Sequence, residues 1–330
     1  MSEKRETILR LVQDKTGRIL DVKVEQQPVP APKPEERNTL AVIELKPETK
    51  ETFVHNLTEG SVVDWGDGTK SIVTDYLVRG STVTHTYANT STTNRVVTIY
   101  GYFSNGRGSM IRTPFDPNAL VAVRAIGELG RESINLFRNC TSLETVSKGL
   151  FADCTAVTDF SSCFQNCTSL TAIPDGLFAN CTAATTFDTC FKGCDSLTAI
   201  PEGLFANCTA ATTFNGCFWH CTGLTAIPDG LFANCTAAKT FNTCFADCTS
   251  LTAIPDGLFA NCTAVTVFRS CFSGCSSLTG ETPYTMVDGK KIKLWERSPE
   301  NGFATVNDYD VCFDGCTGLS DYAEIPADWK

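Results

Sequence analysis

A 27-residue segment recurs along the second half of this chain and constrains its fold more than any other feature. Four near-identical copies of "LTAIPDGLFANC", one with Glu in place of Asp, begin at Leu170, Leu197, Leu224 and Leu251. A weaker copy starts at Leu143, and a degenerate one occupies 311–329. The apolar runs within a copy are short and are interrupted by Pro and Gly, which excludes long helices. One copy cannot bury its own apolar face, so the copies must stack. The sequence therefore predicts a mainly β fold with a solenoid of 27-residue coils.

The cysteines belong to the same pattern. All eighteen follow residue 139 and fall into three columns. One column is the cysteine of "LFxxC", to which we also assign Cys140. The other two are the first and the second cysteine of "CFxxC". Equivalent positions of stacked coils share one environment, and free cysteine is among the most buried residue types. Zinc sites prefer four converging ligands from CxxC pairs, a spacing that differs from the one here. This pattern favours a buried structural ladder over disulfides or a metal site. The members of this ladder are Cys154, Cys181, Cys208, Cys235, Cys262, Phe178, Phe205, Phe232 and Phe259.

The composition of the chain divides it into further segments. Residues 1–25 read as a β-hairpin, and 26–37, "QQPVPAPKPEER", as an extended proline-rich linker. Alternating β-rich runs over 38–104 predict an immunoglobulin-like β-sandwich. The remaining boundaries are a connector and N-terminal cap at 105–132, repeats at 133–279, a hairpin insertion at 280–302, and a final repeat with a C-terminal cap at 303–330.

Two aspartates in the "VDWGDGT" segment raise the question of a calcium site. Asp64 and Asp67 are oxygen donors, but the loop is far shorter than an EF-hand and lacks its terminal Glu. We expect these side chains to hold a tight turn instead.

Two surfaces are candidates for binding. A column of threonines is expected to face solvent on the solenoid, and its members are Thr171, Thr198, Thr225 and Thr252. The insertion carries a second group, Lys290, Lys291 and Trp295. Insertions in repeat proteins often bind. The alternatives stay open: the threonines are also good solvent-facing strand residues, and the insertion could serve as a cap.

The sequence offers little for catalysis. Its three histidines, His55, His85 and His220, are spread over two segments, and no nucleophile elbow, phosphate-binding loop or HExxH motif occurs. The carboxylates of the repeats recur in the same turn of each copy, which indicates a structural position. We expect no enzymatic activity, no catalytic residues, no metal and no cofactor.

Charge and terminal sequences bear on partners and location. A net charge of −10 argues against nucleic acid as a partner. The first residues, MSEKRETILR, lack the apolar core of a signal peptide, and no segment has the roughly 20 apolar residues of a membrane span. The expectation is a protein made in the cytoplasm, without membrane insertion, that leaves by lysis or through a dedicated exporter.

Two segments resemble known families. "CFKGCDSLTAIPEGLFANCTAATTFNGCF" resembles the BspA-like leucine-rich repeats, over roughly 120–280 and again at 303–330. "VDWGDGT", "HTYA" and "VTIYG" are similar to polycystic-kidney-disease (PKD) type immunoglobulin-like domains. The resemblance implies display, adhesion or protein contact in bacterial surface proteins or in virion proteins of tailed phages.

These observations lead to a ranked set of functional hypotheses. The first is a non-enzymatic tailed-phage virion protein, a head decoration or a fibre, anchored to the capsid or to another virion protein through residues 1–37. The second is a bacterial cell-surface adhesin of the BspA-like type, and the third an intracellular repeat scaffold. A host-surface glycan or protein, and a second copy of this chain, are the further partners that the pattern allows.

Overall fold

A computed structural model of the 330-residue chain describes residues 5–13, 19–28, 39–57, 60–74, 81–88, 91–100, 114–126, 129 and 135–330. The chain forms two units, Met1–Arg37 and Asn38–Lys330. The fold class is mainly β, as the sequence predicts. No helix among the described residues is long and apolar enough to cross a lipid bilayer.

The first unit contains a two-stranded antiparallel sheet. Strand β1 (Arg5–Gln13) pairs with β2 (Ile19–Pro28), and the register pairs Leu9 with Val24. The hairpin that the sequence predicts is thus present, but β2 continues three residues into the segment interpreted as a linker. The rest of that proline-rich segment, from residue 29 on, lies outside the described residues.

The second unit begins with short strands in two sheets. They are β3 (Thr39–Leu45), β4 (Glu51–Leu57), β5 (Val62–Asp64), β6 (Lys70–Ile72), β7 (Ser81–Thr86), β8 (Arg95–Tyr100), β9 (Leu120–Ile126) and β10 (Thr145–Val146). One sheet has the order β10-β9-β3-β8-β5-β6, and β4 pairs with β7 in the other. Alternating residues of β3 and β8, such as Ile43 and Val97, share one buried core with Val54 and Leu57 of β4. Burying such side chains supplies roughly 1.5–3 kcal/mol each.

The large sheet continues directly into the repeats. Strand β10, which lies in the coil 143–169, pairs in parallel with β9 of the sheet. Phe115, bridged to Val54 of β4, stacks on Phe137 with ring centroids 5.7 Å apart. Part of the predicted connector, 105–132, is therefore a sheet strand on which the first coil is built. Residues 105–113, 127–128 and 130–132 of that connector lie outside the described part of the chain.

Successive coils stack in parallel at 27-residue intervals. Single-residue parallel bridges link Asp159, Thr186, Thr213, Thr240 and Val267 in order, and a last one joins Val267 to Asp308. Between residues 147 and 283, a range described throughout, the brief strands expected in each copy are reduced to such bridges, which include one more between Ala199 and Ala226. Prolines and left-handed residues, such as Gly176 at φ 69°, interrupt the extended backbone of every coil.

Three columns of stacked phenylalanine rings run through the coils, with centroids 5.2–6.0 Å apart between neighbouring coils. The first contains Phe151, Phe178, Phe205, Phe232 and Phe259. The second contains Phe160, Phe187, Phe214, Phe241 and Phe268. The third runs through Phe137, Phe164, Phe191, Phe218, Phe245, Phe272 and Phe313. These rings form one continuous core with the sheet residues.

An insertion and a short cap close the array. The insertion forms a hairpin of β11 (Tyr284–Val287) and β12 (Lys290–Lys293), which precedes the 3₁₀ turns Leu294–Glu296 and Pro299–Asn301. After the final coil come the 3₁₀ turns Tyr322–Glu324 and Ala327–Trp329. Trp329 is stacked on Phe313 and covers the end of the third phenylalanine column.

Candidate functional site

The threonine column lies on the surface of the coils. Thr171, Thr198, Thr225 and Thr252 are all exposed. Thr225 and Thr252 each donate both the backbone N–H and the hydroxyl to the carbonyl of the equivalent threonine one coil earlier, all at 3.2 Å. Since the hydroxyl protons point along the column, only methyl groups and acceptor lone pairs face solvent. This face can accept hydrogen bonds from a partner's hydroxyl or amide groups.

A second hydroxyl column, in which Thr185 is exposed and Thr158 and Thr212 are partly exposed, makes the same hydrogen bonds. Thr185 and Thr212 donate their hydroxyls to the carbonyls of Thr158 and Thr185, at 3.0 and 3.1 Å. Lys239 replaces threonine in the next coil of this column. The second column is therefore interrupted, whereas the first continues through Thr279, which bonds to Thr252 in the same way.

The insertion residues divide between surface and cap. Lys290 and Lys291 are exposed, and the Lys291 ammonium pairs with Glu281 at 2.5 Å and lies 4.3 Å from the centre of the Tyr284 ring. Trp295 is only partly exposed, because it packs edge-on against Phe313 and Trp329. Trp295 is thus a packing residue of the cap, and the two lysines are the accessible part of this group.

Two buried charges fix the insertion to the coils. The Lys293 ammonium, ten per cent exposed, bonds Asp321 Oδ2 at 2.6 Å and the Thr282 hydroxyl at 3.1 Å. Arg297 donates to the carbonyls of Phe259 and Cys262, at 2.8 and 3.1 Å, and burial lowers its pKa to about 10. In the other coils, the phenylalanine carbonyl equivalent to that of Phe259 is contacted by a cysteine thiol of the following coil. Arg297 therefore takes the place of the missing next coil.

The predicted core ladder residues all lie in the interior. Cys154, Cys181, Cys208, Cys235 and Cys262 are fully buried free thiols, and Phe178, Phe205, Phe232 and Phe259 are at most 2% exposed. Burial raises the pKa of Cys208 and Cys262 to about 12, so these thiols stay protonated and unreactive. No group of three or more His, Cys, Asp or Glu side chains in the described part of the chain has the arrangement of a metal site.

One column of cysteines does more than fill space. The thiols of Cys194, Cys221 and Cys248 donate to the carbonyls of Phe164, Phe191 and Phe218 in the preceding coil, at 3.1–3.2 Å. The column also contains Cys140: the carbonyl of its neighbour Phe137 accepts the Cys167 thiol at 3.2 Å. Assigning Cys140 to the "LFxxC" column was wrong, because Cys140 lies 27 residues before Cys167 but only 14 before Cys154.

The aspartates of the "WGDG" turn accept bonds from their own turn. Asp64 accepts the Gly66 N–H at 3.1 Å, and Asp67 accepts the N–H and hydroxyl of Thr69 at 3.0 and 2.6 Å. The prediction that these side chains hold a tight turn is confirmed. Asp67 also pairs with His85 at 2.8 Å; the hydrogen bonds from Thr69 and His85 outweigh desolvation and lower its pKa to about 2.

The coil 197–223 carries an edge that the sequence analysis did not single out. The indole N–H of Trp219 donates to Asp247 Oδ2 of the next coil at 3.0 Å, and the Lys192 ammonium of the preceding coil lies 3.5 Å from the ring centre. His220 Nδ1 lies 3.2 Å from Asp195 Oδ1, with both side chains largely exposed. The signal was present in the sequence as the departure "FNGCFWHC" from its sister copies.

Comparison with known proteins gives weak likenesses among solved structures and none among protein families or curated proteins. No protein-family model matches the chain, and no curated protein matches it. Among solved structures, a leucine-rich cell surface protein from Faecalibacterium prausnitzii A2-165 is 16% identical, over 67% of this chain and 88% of that one, with a TM-score of 0.15. A TM-score this low does not establish a shared fold.

Proposed function

We propose that this chain is a non-enzymatic adhesion or display protein of the leucine-rich-repeat type, in which a rigid solenoid presents side chains to a partner. One observation carries the proposal: the exposed threonine column repeats in register from coil to coil and is held by hydrogen bonds along its length. Such an array meets a partner without losing side-chain freedom on binding, which lowers the entropic cost.

The location that best suits this role is a cell surface, where the protein would act as an adhesin. The alternative is the surface of a tailed-phage particle, as a decoration or fibre protein. In either case residues 1–37 would attach the chain, to a virion protein, to another surface component or to a second copy. A two-stranded sheet such as β1–β2 is at best marginally stable alone in water, which supports an attachment role.

Fractionation of the producing culture tests the location. Intact washed cells, density-gradient particles and soluble extract would each be assayed for the chain by mass spectrometry, with external protease added to the cells. A protease-sensitive chain on cells supports the adhesin, and fixed stoichiometry with DNA-filled particles supports the virion protein. A chain found only in the soluble extract would contradict both and favour an intracellular scaffold.

Binding by the threonine column is tested separately on the full chain. The variant in which Thr198, Thr225 and Thr252 become valine keeps their shape but removes three outward acceptors. The matched control changes Thr185 and Thr212 to valine and removes the same kind of hydroxyl bond from the second column. We expect adhesion of coated beads to bacterial or host cells to fall only for the first variant. Equal adhesion of wild type and both variants would refute the assignment.

A further inference from the structure

The copies in this chain differ from one another on one edge of the coils. Residues 170–183, 197–210, 224–237 and 251–264 are identical except for Glu202. The second half of each copy, "F-x-x-C-F-x-x-C", keeps its Phe and Cys and changes at nearly every x position. Because the buried residues are the same in every coil, folding does not require these changes. The variable edge is therefore where individual coils have acquired separate properties.

One coil departs most from its neighbours on this edge. At the position of Trp219 the other coils have Gln165, Lys192, Ala246 and Ser273. Three residues earlier, Gly216 interrupts a column of hydroxyl residues, and a Cβ at this glycine would lie 3.2 Å from Thr189 and 3.4 Å from Thr243. The first distance is shorter than ordinary van der Waals contact, so the glycine lets the neighbouring threonines pack closely beside the Trp219 Cβ, which lies 3.6 Å from the same point.

The ring of Trp219 is held in place before any partner arrives. Its N–H is bonded to Asp247 in one neighbouring coil, and the Lys192 ammonium of the other lies over its face. Partners on both sides fix the plane of the ring, so the side chain loses little conformational freedom when a ligand packs against it. An exposed cation–π contact is weak, so a ligand can displace the flexible Lys192 side chain from the ring.

The polar groups that contact the ring, Lys192 and Asp247, and the His220–Asp195 pair next to it in the chain indicate the chemistry of the ligand. Lys192 is a donor, Asp195 and Asp247 are acceptors, and His220 can be either. With His neutral, these four groups carry a net charge of −1, which disfavours phosphates and other anions. A flat aromatic surface surrounded by both donors and acceptors suits a neutral ligand that has one apolar face and many hydroxyl groups. A hexose ring has this character: its C–H face packs on an indole, and its hydroxyls both donate and accept.

We propose that the edge of coil 197–223 is a carbohydrate-binding site centred on Trp219, with Lys192, Asp195, His220 and Asp247 as hydrogen-bonding groups. The site takes a neutral hexose unit of a glycan chain. This inference rests on the proposed adhesion function and names its ligand class. It also places the specific contact on the variable edge, away from the column of identical threonines.

The experiment uses the full chain labelled with 5-fluorotryptophan. The four tryptophans, Trp65, Trp219, Trp295 and Trp329, give four ¹⁹F resonances, and the Trp219→Ala variant identifies the one from the site. Probes are maltohexaose, cellohexaose, laminarihexaose, mannohexaose and chitohexaose, each added to about 10 mM to detect millimolar dissociation constants. We expect at least one probe to shift the Trp219 resonance saturably and leave the other three unchanged.

Variants copied from sister coils keep the fold intact. Trp219→Ala reproduces Ala246, and Asp247→Gly reproduces Gly274, which has the same left-handed backbone. Both are expected to weaken probe binding, Trp219→Ala at least about tenfold, as measured by titration calorimetry because this variant lacks the reporting resonance. The control Gln165→Ala makes the equivalent change in another coil and should leave binding as it is. Thermal melts of all three establish that the chain is folded.

Three outcomes would overturn the proposal. They are no shift with any probe, a shift that Trp219→Ala does not abolish, and loss of a protein partner in Trp219→Ala without any saccharide binding. The last outcome would assign the edge to a protein. In each case adhesion to cells of the threonine variant, compared with wild type, would still test the proposed function, because those substitutions leave this edge unchanged.

Discussion

The column of cysteines whose thiols donate hydrogen bonds leads to a prediction about two cysteines of one coil. Serine should be the less destabilising replacement at one of them, and alanine at the other. Cys221 and Cys217 are both fully buried. The Cys221 thiol donates to the Phe191 carbonyl at 3.1 Å, whereas the Cys217 thiol has no hydrogen-bond acceptor among the described residues. Serine should therefore replace cysteine well at the first position and badly at the second.

The magnitudes follow from the two environments. Removing one buried heavy atom costs about 1 kcal/mol, so Cys217→Ala should destabilise by about that much. Cys221→Ala loses the hydrogen bond as well, for about 2 kcal/mol. Cys221→Ser keeps a donor and should cost about 1 kcal/mol. Cys217→Ser buries a hydroxyl without a partner and should cost about 2–3 kcal/mol.

Guanidinium unfolding of the full chain measures these differences. The shift in midpoint is compared among the four variants, after checking that the slope of free energy against denaturant is unchanged. Alanine should be better than serine at residue 217, and serine better than alanine at 221. The same order at both positions would refute the claim that one column donates hydrogen bonds and the other only packs.

Three further predictions concern buried or paired groups. Lys293→Met should cost about 3–5 kcal/mol, since it leaves the Asp321 carboxylate as an uncompensated buried charge. Adding Asp321→Leu should restore most of this stability in the same unfolding assay, and no recovery would contradict the ion-pair explanation. Because all eighteen cysteines are buried free thiols, native protein at pH 8 should resist alkylation at each of them, and all should react in denaturant. Prompt labelling of native protein would show an open core. The hydrogen bonds from Thr69 and His85 lower the pKa of Asp67 from 3.8 to about 2, so they stabilise the fold above pH 3.8 and this stabilisation is lost as the pH falls through about 2. The stability difference between wild type and Asp67→Asn should vanish over that range, and a constant difference would exclude the linkage.

The sequence predicted the features that depend on repetition. A period of 27 placed Phe178 and Cys181 in the interior, because every coil must present the same residues to the next. The exposure of Thr198 and Thr225 followed from the same period. The aspartate turn at Asp64 was predictable because its hydrogen bonds are local.

Features that depend on breaks in the repeat were not predicted. Arg297 and Trp295 lie in a unique insertion, and their partners, carbonyls and rings at the end of the array, cannot be read from a local pattern. The donation by Cys221 depends on the direction of one S–H bond, which residue type alone does not fix. The pairing of β9 with β10 joins strands that the spacing assigned to different segments.

The near identity of the coils has a consequence for the history of this chain. Since the internal coils offer the same rings and thiols above and below, an added or deleted 27-residue copy would leave the buried contacts of each interface as they were. The core is closed differently at its two ends: β9 starts the array, and the insertion with Trp329 closes it. Unequal recombination between the matching gene segments would therefore lengthen or shorten the protein in whole coils without unfolding it. The length of the array would then differ between strains, while the two ends stay the same.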